Sequence, residues 1–214
     1  MIKAILFDAF GTLAEIAERR RPYAKLLSLA DTKTRPTHAD YATIVMARDW
    51  AIQETADWLG VTQDQAQEAG VFEGLATELI SMRLFPEAAE TLAQLRANGF
   101  TLGICSNLAQ PYSAPLRALL PFEMDAYVWS FEVGAIKPGP IIFQAACEAL
   151  QVKPDEIFHL FRKHYFPGFS IKSPQLNGVL LASLDVKTSR VQKKGRSSRS
   201  IGETSSSLLF LRFR

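Results

Sequence analysis

Ile2-Lys3-Ala4-Ile5-Leu6-Phe7 is a short apolar run, interrupted once by lysine, that stops at a carboxylate, Asp8. Its length suits one buried strand. Gly11 follows three residues later and permits a tight turn or a close backbone approach. An acid at the end of a buried strand, just before a glycine turn, sits where open α/β sheets take their ligands, in the crevice at the carboxyl ends of the strands. Asp8 is therefore either a cap for the segment after the strand or a reactive group in a site.

The rest of the chain alternates strands with helices. Residues 100–105 form a second candidate strand that delivers Ser106-Asn107, residues 127–129 a third and residues 157–160 a fourth. Helices are predicted over 87–97, headed by Pro86 and stopped by Asn98-Gly99, over 111–120, and from Pro140 to Leu150. This alternation predicts a parallel sheet.

One long stretch breaks the pattern. Thr37, with Asp40 three residues on, marks a helix start, and Tyr41, Ile44, Val45, Ala51, Ile52 and Leu59 continue near helical spacing. Thr62 or Asp64 opens another helix that runs to about Met82. The expected organisation is a Rossmann-like α/β core over residues 1–19 and 83–160, with an inserted helical cap over residues 20–82. Arg19-Arg20-Arg21 reads as a solvated face in preference to an anion-collecting patch.

Composition excludes several classes. No apolar run approaches the length of about 20 residues that spans a membrane. The chain enters its first strand without a leader-like segment, and Cys105 and Cys147 are too few for a disulfide framework. A cytoplasmic location is the resulting expectation. Charge divides the chain: residues 1–160 hold 13 Lys+Arg against 20 Asp+Glu, a net of −7, whereas residues 161–214 hold 11 against 2, a net of +9. The basic region is Ser-rich around Lys193-Lys194-Gly195-Arg196 and is expected to be poorly ordered, apart from one candidate strand over 178–184. It contains no recognisable nucleic-acid module, so nucleic acid is not the expected partner. A sheet edge left uncovered by such a tail would favour self-association.

Three positions from separate segments carry the chemistry. Asp8 offers a nucleophilic carboxylate, Ser106 and Asn107 offer hydrogen-bond donors to an anion, and Lys137 offers a cation to sit beside Asp8. Each also has a plain structural reading, as cap, turn or surface residue. Their order, with Phe7-Asp8-x-x-Gly11-Thr12-Leu13, Ser106-Asn107 and Lys137-Pro138, resembles the first three motifs of the haloacid dehalogenase (HAD) superfamily over residues 1–160. Pro86-Glu87-Ala88 and Val133-Gly134-Ala135-Ile136 resemble its supporting stretches. The resemblance implies a hydrolase of small anionic substrates, 2-haloacids or phosphate esters. It also implies that Asp8 forms a covalent aspartyl intermediate, that Lys137 is catalytic, and that Phe10, Thr12, Ser106 and Asn107 bind substrate.

Two departures qualify that expectation. Phosphatases of the superfamily usually carry a second Asp two residues after the nucleophile, where this chain has Phe10; its dehalogenases have an aromatic residue there and need no metal. A Gly-Asp stretch with a further acid should also follow the fourth strand, yet no acid appears between Leu160 and Asp185. Asp8 and the Phe10 carbonyl are then the only ligands left for magnesium, which prefers an octahedral set of oxygens. A magnesium site is accordingly expected to be incomplete. The alternative expectation is a catalytically impaired relative that binds a small anion or a protein partner. The switch at residue 160 is what a reading-frame change near that codon would produce, which the coding DNA would test.

Overall fold

The computed structural model describes residues 1–161 and, as backbone, two short strands beyond them. β1 (Ala4–Phe7) opens the chain with four buried residues in a row. Leu13 and Ala14 then donate their backbone amides to the Ala9 carbonyl at 2.8 and 3.0 Å, and Gly11 adopts a φ of 82°, a left-handed conformation that suits glycine. The tight turn leads into β2 (Ala14–Ile16).

A helical stretch follows: α1 (Pro22–Leu29), α2 (His38–Met46), α3 (Ile52–Trp58), α4 (Gln63–Glu68) and α5 (Val71–Ile80). β3 (Met82–Leu84) pairs antiparallel with β2, Ala14 opposite Leu84, so the stretch leaves and rejoins the core through one two-stranded ribbon. Beyond it come α6 (Ala88–Ala97), β4 (Thr101–Ser106), a 3₁₀ turn at Gln110–Tyr112, α7 (Ser113–Leu119) and β5 (Ala126–Trp129). The chain continues through α8 (Ser130–Val133), α9 (Pro140–Leu150), β6 (Ile157–Phe161), β7 (Gln175–Leu176) and β8 (Val179–Ser183).

Six strands form the main sheet in the order β5-β4-β1-β6-β8-β7, with β1 central and parallel to both neighbours. This is the expected α/β class. Ile5 and Phe7 pack into one apolar layer with Leu92 and Leu116, while Ala4 and Leu6 pack into another with Ile142, Phe143 and Leu150. Layers on both faces explain why β1 shows no polar alternation. Register aligns Phe7 with Ile104 on β4 and with Leu160 on β6, so the carboxyl ends of all three strands open on one edge.

The helical stretch is more divided than its spacing suggested. Thr37 caps α2 through Asp40 N, as expected, but the helix stops at Met46 and restarts at Ile52, where the Glu54 carboxylate accepts from Ala51 N at 2.7 Å. Thr62 and Gln65 form a reciprocal cap on α4, and Gly70 at a φ of 67° separates it from α5. Met82 belongs to a strand and not to the preceding helix.

β6 runs one residue beyond the strand expected over 157–160, and its last residue, Phe161, is buried. The strand expected over 178–184 is β8, which pairs parallel with β6. The remaining expectations for the basic tail lie outside the described residues. No helix among the described residues is long and apolar enough to cross a membrane.

Candidate active site

The aligned strand ends bring Asp8, Ser106 and Lys137 together from three segments. Asp8 leaves β1 with its amide donating to the Leu160 carbonyl at 2.9 Å, which fixes it against β6. Its Oδ1 accepts from Lys137 Nζ at 2.8 Å and from Ser106 Oγ at 3.2 Å. The three residues are 5%, 3% and 1% exposed for Asp8, Lys137 and Ser106, so the ion pair is largely shielded from water. Lys137 Nζ also donates to the Cys105 carbonyl at 2.7 Å, at the end of β4. Asp8 Oδ2 takes no hydrogen bond from the described residues.

The lysine arrives by a built route. Ser130 Oγ accepts from the Leu108 amide at 3.1 Å, joining the loop after β4 to α8. Gly134, at a φ of 71°, ends α8 and turns the chain toward Lys137, whose bond to Pro138 is cis. Asn107 then clasps the backbone of Lys137: Nδ2 donates to its carbonyl at 3.0 Å and Oδ1 accepts from its amide at 2.8 Å. Asn107 thus holds Lys137 through Oδ1 and one Nδ2 hydrogen, and the second Nδ2 hydrogen leaves room for the substrate contact expected from the sequence. Thr12 lies in the turn after Asp8, its amide donating to the Ala9 carbonyl at 3.2 Å.

Phe10 lies beside a cavity of about 350 Å³ and meets the ring of Tyr112 edge-on, centroids 6.0 Å apart. Sequence reasoning missed Tyr112 and its partner Glu78. On α5 the buried residues are Val71, Gly74, Leu75 and Glu78, so a carboxylate occupies the i+7 position of an inward stripe. That misplaced charge is the signal that could have found it.

Two buried groups nearby are chemically quiet. Burial pushes the Cys105 thiol up to about 12, partly opposed by Lys137, so it is not a competing nucleophile. His159, on the same face of the sheet as Cys105 and packed against Phe143 and Phe161, is held well below the usual imidazole range by burial and then by Lys137.

The described residues do not supply a full magnesium site. No three His, Cys, Asp or Glu side chains cluster for a metal among them, and one oxygen of Asp8 already carries the ammonium and hydroxyl described above. The stretch after Phe161, where a further acid was sought, lies outside the described residues.

Comparison with known proteins agrees with the geometry. The family model described as haloacid dehalogenase-like hydrolase matches residues 2–160. The chain is 27% identical over 168 residues to (S)-2-haloacid dehalogenase 4A of Burkholderia cepacia, covering 73% of each chain. It is 35% identical over 175 residues to glyceraldehyde 3-phosphate phosphatase of Methanopyrus kandleri, covering 75% of each. Among solved structures, a HAD family enzyme from Bacteroides thetaiotaomicron superposes with a TM-score of 0.62 at 16% identity, covering 88% of this chain and 96% of that one. The same enzyme, solved in complex with magnesium and inorganic phosphate, gives a TM-score of 0.60 at 17% identity, covering 86% and 94%. At such identities these structures speak for the fold alone.

Proposed function

The chain belongs to the haloacid dehalogenase-like hydrolase family, and we propose that within it this protein hydrolyses a 2-haloacid, with Asp8 as the nucleophile. Asp8 Oδ2, the oxygen left without a hydrogen bond among the described residues, attacks C2 of the substrate. The carbon–halogen bond breaks, halide departs with the bonding pair, and an ester joins Asp8 to C2. Water then adds to the Asp8 carboxyl carbon, releasing the 2-hydroxy acid and a proton and restoring the carboxylate. Lys137 and Ser106 hold Oδ1 throughout, which fixes the direction of attack and steadies charge on the carboxyl group as the tetrahedral adduct forms. The helices α1 to α5 serve as a cap that limits water at the site.

Phe10 carries the choice of leaving group. An alkoxide departing from a phosphate ester needs a proton from a nearby acid, whereas halide needs none. Two residues after the nucleophile this chain has an aromatic ring packed on Tyr112 in place of a second carboxylate. No step above requires a metal. Phosphate-ester hydrolysis is the second reading, favoured by the 35% identity to the Methanopyrus phosphatase, and a phosphatase mechanism would call on magnesium.

Single turnover with excess enzyme in ¹⁸O-labelled water tests the mechanism. The label should enter the Asp8 carboxylate and be absent from the first 2-hydroxy acid formed. Label in that first product would mean direct attack by water and would remove Asp8 as nucleophile. Release of inorganic phosphate from esters, with no halide release from 2-haloacids, would replace the first reading by the second.

A further inference from the structure

The cavity of about 350 Å³ adjoins the Asp8 group through Phe10 and Asn107, and Tyr23, Tyr41, Val45 and Tyr112 form much of its remaining wall. Its described lining holds no Lys, Arg, Asp or Glu, and apart from the phenols its polar side chains are His38 and Asn107 alone. Two of its phenols are committed to protein partners, Tyr41 OH donating to the Tyr23 carbonyl at 3.0 Å and Tyr112 OH to Glu78 at 2.6 Å. Their rings, rather than their hydroxyls, are what they contribute to the lining.

Such a wall discriminates by chemistry. A three-carbon acid held at Asp8 would leave most of the space to water, which gains little from an apolar surface. A polyhydroxylated or multiply charged chain would bury more polar groups than His38 and Asn107 could partner. An apolar group fits. At about 30 Å³ for each water-sized unit, about a dozen non-hydrogen atoms fill the space.

Building on the reading of Asp8 above, the geometry points to a substrate whose C2 carries a sizeable apolar group, a medium alkyl chain or an aryl ring. That group occupies the cavity between Phe10 and α2 while the carboxylate and the carbon–halogen bond remain at Asp8. The cavity then sets specificity, and the energy of filling it is available to orient C2 for attack.

Two measurements test this. The first is kcat/KM for 2-chloro acids from propionate to octanoate, with 2-chloro-3-phenylpropionate. Each methylene that enters the cavity should raise kcat/KM about three- to fourfold until the space is filled. Ala42→Trp, at an exposed lining position on α2, should lower the octanoate-to-propionate ratio by about tenfold or more. A flat or falling series, or a ratio untouched by Ala42→Trp, overturns the proposal. The second is calorimetric titration of the wild-type protein with halogen-free octanoate, 3-phenylpropionate and propionate. The two larger acids should bind at least about tenfold more tightly than propionate. Equal binding overturns the proposal. If no 2-haloacid is turned over at all, the reading of Asp8 fails, and the titration alone still decides what the cavity holds.

Discussion

The phenol of Tyr112 donates to the buried carboxylate of Glu78 at 2.6 Å, joining the loop after β4 to the last helix before the core resumes. The other Glu78 oxygen accepts from the amides of Arg20 and Arg21, both at 2.7 Å, where the chain enters the helical stretch. One carboxylate therefore holds the entrance of that stretch, its final helix and the wall of the cavity beside Phe10.

Tyr112→Phe should lower stability by about 1–3 kcal/mol, because it leaves a buried carboxylate oxygen without its donor. Tyr23→Phe is the contrasting change. The Tyr23 hydroxyl is buried without a hydrogen-bond partner among the described residues, so removing it should leave stability unchanged or raise it. Urea unfolding of the two variants provides the comparison, and equal losses would argue against Glu78 as the tie.

Asp8→Asn should reduce hydrolysis to background, since an amide is a poor nucleophile. It should also lower stability by about 3–5 kcal/mol, because Lys137 is buried and loses its counterion. Lys137→Ala should lower kcat by about a hundredfold or more by removing the cation beside the reacting carboxylate. Steady-state kinetics and denaturant melts on both variants give the result; normal turnover by Asp8→Asn would end the aspartyl mechanism.

Much of the core was legible because its strands are short apolar runs bounded by turn residues, and because Pro140 marks the first turn of α9. Asp8, Ser106 and Lys137 could be aligned once the strands were taken as parallel, since each lies at or beyond a strand end. Other features depend on contacts that sequence spacing does not carry. β2 and β3 have three residues each and are defined by pairing across the whole helical stretch, so neither has a period of its own. Thr37 and Thr62 announce helix starts with a capping hydroxyl, whereas α3 starts after Ala51, which has none and is marked only by the Glu54 carboxylate three residues on. Glu78 and Tyr112 each look like ordinary surface-capable residues until the fold places one against the other.

His159 gives the protein an acid limit. Burial holds its imidazole neutral well below the ordinary value, and neither ring nitrogen has a partner among the described residues. The unfolded chain takes up this proton below about pH 6.5 while the folded chain does not. Stability is therefore intact above that pH and falls as the pH drops through it, by up to about 1.4 kcal/mol per pH unit until the folded-state value is reached. His159→Leu should flatten this part of the curve. Urea midpoints between pH 7 and pH 5 are the measurement, and an identical slope in the variant would assign the acid limb to other groups.

Asn107 is expected to act through Lys137. Its amide engages both backbone groups of that residue, at 3.0 and 2.8 Å, and the ammonium it carries must reach Asp8 and the Cys105 carbonyl from a loop between two helices. Asn107→Asp keeps the size and one acceptor but sets a carboxylate oxygen against the Lys137 carbonyl, so the loop should shift. Displacing a catalytic group by about 1 Å can cost about a hundredfold in rate, so kcat should fall by about ten- to a hundredfold while KM changes little. Asn107→Ala should show the same pattern, since it releases the clasp without adding charge. A raised KM with kcat preserved in Asn107→Ala would instead show the amide binding substrate directly, the role its place after a strand end first suggested.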